Sequence, residues 1–197
     1  FKGSSSAFIG GSTWPEDEKL LAELSEDYRD WKFIIAPHEI QEEKIKTLEN
    51  LFKGRSVRYS QIADQNQALD TNPQVLIIDN IGMLSSLYQY GQIAFIGGGF
   101  GAGIHNTLEA AAFGLPVIFG PNYHKFREAK ELIRIGAAFS IKDSRELKTT
   151  VGKLKDELYR EQCSALATEY IAEHTGATEI IVNHIYSTSA HPNAKLF

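Results

Sequence analysis

Several things are scarce in this 197-residue chain, and each scarcity excludes something. There is one cysteine, Cys163, so no internal disulfide framework can form, and a reducing compartment fits. No apolar run reaches the ~18 residues that a membrane-spanning helix needs. The opening FKGSSSAFIGGS lacks the long apolar stretch of a signal peptide. Basic charge is in deficit, with 20 Lys and Arg against 25 Asp and Glu, which argues against bulk electrostatic binding to nucleic acid. The chain starts at Phe1 and its only methionine is Met83, so a processed or excised piece of a longer protein is expected. There is no P-loop lysine, no G-x-S-x-G, no internal repeat and no low-complexity tract.

What is present is the alternation of an α/β protein. Short apolar runs, AFIGGS (7–12), KFIIAPH (32–38), SVRYS (56–60), QVLIID (74–79), IAFIGG (93–98), PVIFG (116–120) and AAFSI (137–141), read as strands. Amphipathic runs between them read as helices. In the first, Thr13 is a candidate cap, Pro15 falls in the first turn, and Glu16, Asp17 and Glu18 suit the positive end of the dipole. MLSSLYQYG, NTLEAAAFG and YHKFREAKELIRIG predict helices closed by Gly91, Gly114 and Gly136. QIADQNQALDTNP (61–73) reads as a loop. From Ser144 the pattern is helical nearly to 186, with a break near HTGAT, and 188–197 reads as a frayed tail on a domain spanning 1–187.

Strands apolar throughout and separated by helices predict a doubly wound parallel sheet covered on both faces. Ligands bind such sheets at the carboxyl ends of the strands, near the switch in strand order. The informative residues then follow the strands: Gly10–Thr13, Pro37–Glu39, Asp79–Met83, Gly97–Asn106 and Gly120–Lys125.

One of these segments stands out. FIGGGFGAGIHNTLEAAAFGLPVIFGP (95–121) holds five glycines within seven residues, then His-Asn and a Glu. Glycines allow close approach to the main chain, and a helix N-terminus next to them makes an anion site. Asn106 with Glu109 has capping-box spacing, so a capped helix after a loop is the plainer alternative to a phosphate or sugar-nucleotide site. Gly97, Gly99 and Ala102 match the dinucleotide pattern G-x-G-x-x-A. They follow a late strand, however, and the next strand ends without an acidic residue for a ribose.

The run from 95 to 138 resembles the C-terminal domain of the 3-deoxy-D-manno-octulosonic acid (Kdo) transferases, glycosyltransferases of the GT-B fold. That family's pattern is a glycine-rich loop, G-H-N-x-L-E, G-x-P-V-x-x-G-P and N-F-x-E. The chain keeps His105, Asn106, Leu108, Glu109, Gly114, Pro116, Val117, Gly120, Pro121, Phe126 and Glu128. IGGSTWPEDE resembles the family's G-S-T-H-x-x-E-E, and VLIIDNIGMLSSLYQYG its V-x-L-x-D-T-M-G-E-L-x-x-L-Y, so the resemblance spans about 7–140.

The resemblance implies a Rossmann-like donor-binding half of an enzyme moving Kdo from CMP-Kdo to the lipid A precursor at the inner membrane. The acceptor domain, the general base and any membrane contact would lie outside this chain. It implies no metal, no other cofactor and no nucleic acid. It also implies a CMP site at His105, Asn106, Thr107, Leu108 and Glu109, with Gly99 and Gly101 from the loop. Glu109 would face the ribose hydroxyls, and the Asn106 end the phosphate. Ile81, Gly82 and Met83 match the segment lining the nucleotide, with Met83 where the family has Glu. Pro37 and His38 match the family's P-R-H without its arginine. Either Pro37 replaces the Arg, or the register slips by one. Phosphate would then lean on the glycine loop, Lys125 or Arg127. Ser12 and Thr13 are placed for a phosphate or the donor carboxylate, or as caps. His105, Tyr123 and His124 share the same sheet edge. A UDP-sugar transferase and a non-catalytic nucleotide-binding module are the alternatives.

Overall fold

The computed structural model describes residues 1–63 and 72–189. Along the chain run β1 (Ala7–Thr13), α1 (Pro15–Asp27), β2 (Lys32–Pro37), α2 (Glu42–Leu51), β3 (Ser56–Arg58) and α3 (Tyr59–Ala63). Then come β4 (Val75–Ile77), α4 (Leu84–Leu87), β5 (Ile93–Ile96), α5 (Leu108–Ala111), β6 (Val117–Phe119), α6 (Arg127–Ile135) and β7 (Ala138–Ser140). Helices α7 (Ser144–Leu154), α8 (Glu157–Glu173) and α9 (Ala177–Ser189) close it. Most of the expected loop 61–73 and all but the start of the expected frayed tail lie outside the described residues; 188 and 189 still belong to α9.

All seven strands are parallel, in the order β3-β4-β2-β1-β5-β6-β7. This is the doubly wound sheet that the apolar strands predict. The chain builds outward from β1 through β2, then crosses to the far side of β1 for β5. The switch in direction therefore falls between β1 and β5, where a crevice opens at the strands' carboxyl ends.

Alternate strand residues feed two cores. Ala7, Ile9, Ala94 and Ile96 meet Leu87, Ala110, Leu132 and Tyr170 on one face. Phe8, Phe33, Ile93 and Phe95 meet Leu21, Leu24, Ile45, Leu48 and Leu147 on the other. With both faces covered, the sheet is rigid and its carboxyl edge is a fixed platform.

Three local expectations are corrected or refined. Trp14, not Thr13, is the N-cap of α1, because Thr13 completes β1 and donates its hydroxyl to Glu18. Gly91 does close the helical segment, as expected, but as the C-cap of a 3₁₀ turn over Tyr88–Tyr90 that follows α4, and in an extended instead of a left-handed conformation. A Cβ there would lie 2.5 Å from Ile9, so contact with β1 selects the glycine. The helix expected over 106–114 shrinks to Leu108–Ala111, with Thr107 at its cap. Gly136 closes α6 in the left-handed region, as expected, at φ 87°.

Candidate functional site

The site is built where β1, β2 and β5 end. At Ser12 the β1–β2 register slips, and Ser12 adopts φ 50°, a left-handed conformation rare for a side-chain-bearing residue. That kink turns Trp14 across the edge. His38, just beyond β2, is held by its own N–H donating to Thr13 O at 2.9 Å. His105, beyond the glycine loop, is held by its N–H donating to Gly97 O at 3.1 Å. The result is a ring stack across three strands. His38 lies against Trp14 and against His105, with both centroid separations 4.6 Å. The Trp14 indole N–H donates to His105 Nε2 at 3.1 Å. Nε2 is therefore unprotonated, and His105 is a neutral ring carrying its proton on Nδ1. Burial, and then His38 beside it, push its pKa below the usual histidine value.

The glycine loop is folded against its surroundings more than it is opened to solvent. A Cβ on Gly97 would meet Ser12 O at 2.2 Å, and one on Gly99 would meet Gly120 N at 2.5 Å. The N–H groups of Gly101 and Gly103 both donate to Gly98 O. The N–H of Gly98 donates to Asp17 Oδ2 at 2.9 Å. Much of the loop's donor capacity is thus satisfied internally. Gly101 is the exception in space, its nearest would-be Cβ contact being 3.7 Å.

Asp17 ties α1 to this loop. The same Oδ2 accepts from Trp14 N at 2.9 Å, completing the cap of α1. Its other oxygen, Oδ1, is buried without a hydrogen-bond partner among the described residues, and desolvation raises its pKa. Glu18, one residue on, is also buried, and desolvation pushes its pKa up to about 7.

Beyond the loop, Asn106 forms an Asx turn, its Oδ1 accepting from Leu108 N at 3.0 Å. Glu109 accepts from the Asn106 side-chain amide at 3.0 Å, so the expected capping box to the Asn106 main chain is not made. Glu109 also faces Tyr88, whose hydroxyl is held above its ordinary pKa by burial and then by that carboxylate. The Asn80–Met83 turn completes this side. Ile81 is 86% exposed, and Gly82, at φ 93°, has nothing within 4 Å of a would-be Cβ.

The sheet edge thus gathers Ser12, Pro37, His38, Ile81–Met83 and His105–Glu109. Among the expected contact residues, Gly99 and Thr107 are buried; the Thr107 side chain is turned away from solvent, its Oγ1 without a hydrogen-bond partner among the described residues. Arg127 is engaged with Glu131 at 2.8 Å, and Tyr123 and His124 line a separate 540 Å³ cavity toward β7. In the sequence reading Trp14 carries no role, and Asp17 only that of an acidic residue in the first turn of α1. The available signal is that they stand where the family's G-S-T-H-x-x-E-E has its His and first Glu.

The crystal structure of the C-terminal CMP-Kdo binding domain of WaaA from Acinetobacter baumannii is similar, with a TM-score of 0.73 at 22% identity, covering 86% of this chain and 90% of that one. No family model matches the chain. The seven-stranded parallel sheet with helices on both faces is the Rossmann-like α/β half of the GT-B fold. The 3-deoxy-D-manno-octulosonic acid transferase of Aquifex aeolicus (strain VF5) is 36% identical over 138 residues, 69% of this chain and 37% of that enzyme. That of Rickettsia prowazekii (strain Madrid E) is 33% identical over 151 residues, 74% of this chain and 32% of its own length. The chain belongs to the Kdo transferase family, and it spans about a third of the length of these curated relatives.

Proposed function

We propose that this chain is the donor-binding domain of an enzyme that transfers Kdo from CMP-Kdo to the lipid A precursor in lipopolysaccharide synthesis. The observation that carries the proposal is the pairing of Glu109 with Asn106 at 3.0 Å just beyond the glycine loop, while the Ile81–Gly82 turn beyond β4 is exposed. Glu109 accepts from the ribose hydroxyls, and Ile81 flanks the cytosine. The α5 end lies toward the phosphate, where main-chain N–H groups meet developing negative charge as CMP departs. The reaction inverts the anomeric centre by direct displacement, with no metal or other cofactor. An acceptor domain elsewhere in the intact protein supplies the general base and the contact with the inner membrane at its cytoplasmic face. Among the described residues no helix is long and apolar enough to cross a membrane. The chain alone binds CMP and catalyses no transfer. Calorimetry at millimolar CMP and UDP tests this: saturable binding of CMP in preference to UDP is expected. No saturable CMP binding, or preference for UDP, overturns it.

A further inference from the structure

Full positive charge for an anionic ligand has few sources at this sheet edge. None of the residues gathered there is a lysine or arginine. The N–H groups of Gly98, Gly101 and Gly103 are already engaged, with Asp17 and within the loop. Arg127 is tied to Glu131 at 2.8 Å, and Lys125 follows His124 at the separate cavity toward β7. His105 is kept neutral by the indole N–H of Trp14. His38 remains. It is exposed, and its ring nitrogens have no hydrogen-bond partner among the described residues. Its ring stacks on Trp14 at 4.6 Å and 22°, and on His105 at 4.6 Å and 26°. A cation over an indole face, within about 6 Å of the ring centroid, is stabilised by the ring's quadrupole. Two imidazoles this close do not readily carry charge together, and the indole bond leaves the charge to His38.

We propose that His38, stacked on Trp14, is the cation that holds the ligand's phosphate, and that it takes up a proton from solvent as the ligand binds. The inference rests on the donor-domain reading above and adds its regulation: occupancy of the site is coupled to pH. His38 adjoins His105, which directly precedes Asn106, so its ring lies on the side of the site given to the phosphate. An imidazolium N–H donates to a phosphate oxygen as a charge-assisted bond. A guanidinium holds its charge at every working pH, whereas an ordinary histidine exchanges its charge between about pH 5 and 8. The elements packed around His38 carry few other charges. They are His105 beyond β5, Glu16, Asp17 and Glu18 in the first turn of α1, and Glu39, which Lys44 of α2 approaches to 3.5 Å. Lys44 is thus engaged with a carboxylate, and the α1 groups are acids.

The test is calorimetry of the 197-residue chain with the methyl phosphoester of CMP, whose phosphate keeps a single charge throughout, and with cytidine. The ester is expected to bind at least about tenfold more tightly at about pH 5.5 than at about pH 8.5, the loss of one charged hydrogen bond. Near neutral pH its binding heat is expected to vary with the buffer's ionisation enthalpy, the mark of proton uptake. Cytidine has the same base and ribose without the phosphate, so a pH dependence arising from Glu18, Asp17 or Glu109 appears with it too; it is expected to bind nearly alike at both pH values. His38→Arg is expected to bind the ester equally at both. His38→Phe keeps a ring against Trp14 and His105 without the charge, and is expected to bind the ester at low pH only as weakly as the wild type does at high pH. The inference is overturned if the wild type binds the ester equally at both pH values, if cytidine shows the same dependence, or if His38→Phe, folded by its spectrum, matches the wild type at low pH. Ester binding without pH dependence leaves the donor-domain reading standing; no binding of ester or cytidine at either pH removes that reading and the inference together.

Discussion

The indole N–H of Trp14 and Nε2 of His105 are 91 residues apart in sequence and 3.1 Å apart in space. This bond makes the stack across β1, β2 and β5 a single unit. Replacing Trp14 by Phe keeps a ring against His38 but removes the donor. Protonating His105 at Nε2 then no longer breaks a hydrogen bond, so its pKa should rise. A net hydrogen bond of ~0.5–1.5 kcal/mol corresponds to roughly half a unit to one unit. Nitrogen NMR of the imidazoles across pH measures both the pKa and the tautomer. An unchanged pKa with Nε2 still unprotonated would show that burial alone sets the state of His105.

Glu18 makes stability depend on pH in an unusual direction. Burial raises its pKa from 4.5 to about 7, so the folded chain favours the protonated acid. A carboxyl group raised on folding contributes stability that is fully present below its unfolded pKa and lost as pH rises through the folded one. The wild type should therefore weaken relative to Glu18→Gln between about pH 4.5 and 7, by at most ~3 kcal/mol. Asp17 shifts in the same direction and adds to the slope in both proteins. Urea unfolding of the pair at several pH values gives the difference. A difference that stays flat across the window would mean that Glu18 is solvated in solution.

The glycines of the loop should divide by what surrounds them. At Gly97 and Gly99 an added Cβ would lie 2.2 Å from Ser12 O and 2.5 Å from Gly120 N, both rigid main chain. Either change to Ala should cost ~2–4 kcal/mol or prevent folding. Gly101→Ala meets nothing nearer than 3.7 Å and should stay within ~0.5 kcal/mol of wild type. Thermal melts of the three variants decide this; equal loss in all three would mean that the loop is not packed as described.

That division marks what the sequence can and cannot reveal. The strands were legible because β1, β2 and β5 are buried on both faces and so apolar at nearly every position. The left-handed cap at Gly136 was legible from the end of an amphipathic run. The glycine run reads in the sequence as a main chain opened to a ligand; in the structure it accommodates neighbouring backbone more than it opens to solvent. The placement of β4 between β2 and β3 is a long-range pairing with no local signature. Asp17 reaching Gly98 across 81 residues is the same kind of relationship, and its orphan oxygen becomes visible only when the packing is known. Motif resemblance located Asn106 and Glu109, but the bond between their side chains, in place of a capping box, depends on how short α5 is.

Glu109 offers the sharpest separation of binding from folding. It is half-buried, and its described contacts are Asn106 and the neighbouring Tyr88. Glu109→Ala should leave the melting temperature nearly unchanged. On the proposed function it removes a charged acceptor for the ribose hydroxyls, which should lower CMP affinity about tenfold or more, the usual worth of a hydrogen bond to a charged group. The tighter test uses 2′-deoxy-CMP. Wild type should bind CMP better than the deoxy form, and Glu109→Ala should bind the two alike, because the hydroxyl then has no partner on either side of the comparison. If the variant binds CMP weakly yet still prefers it over the deoxy form, the ribose is held by another group, and Glu109 serves only to position Asn106.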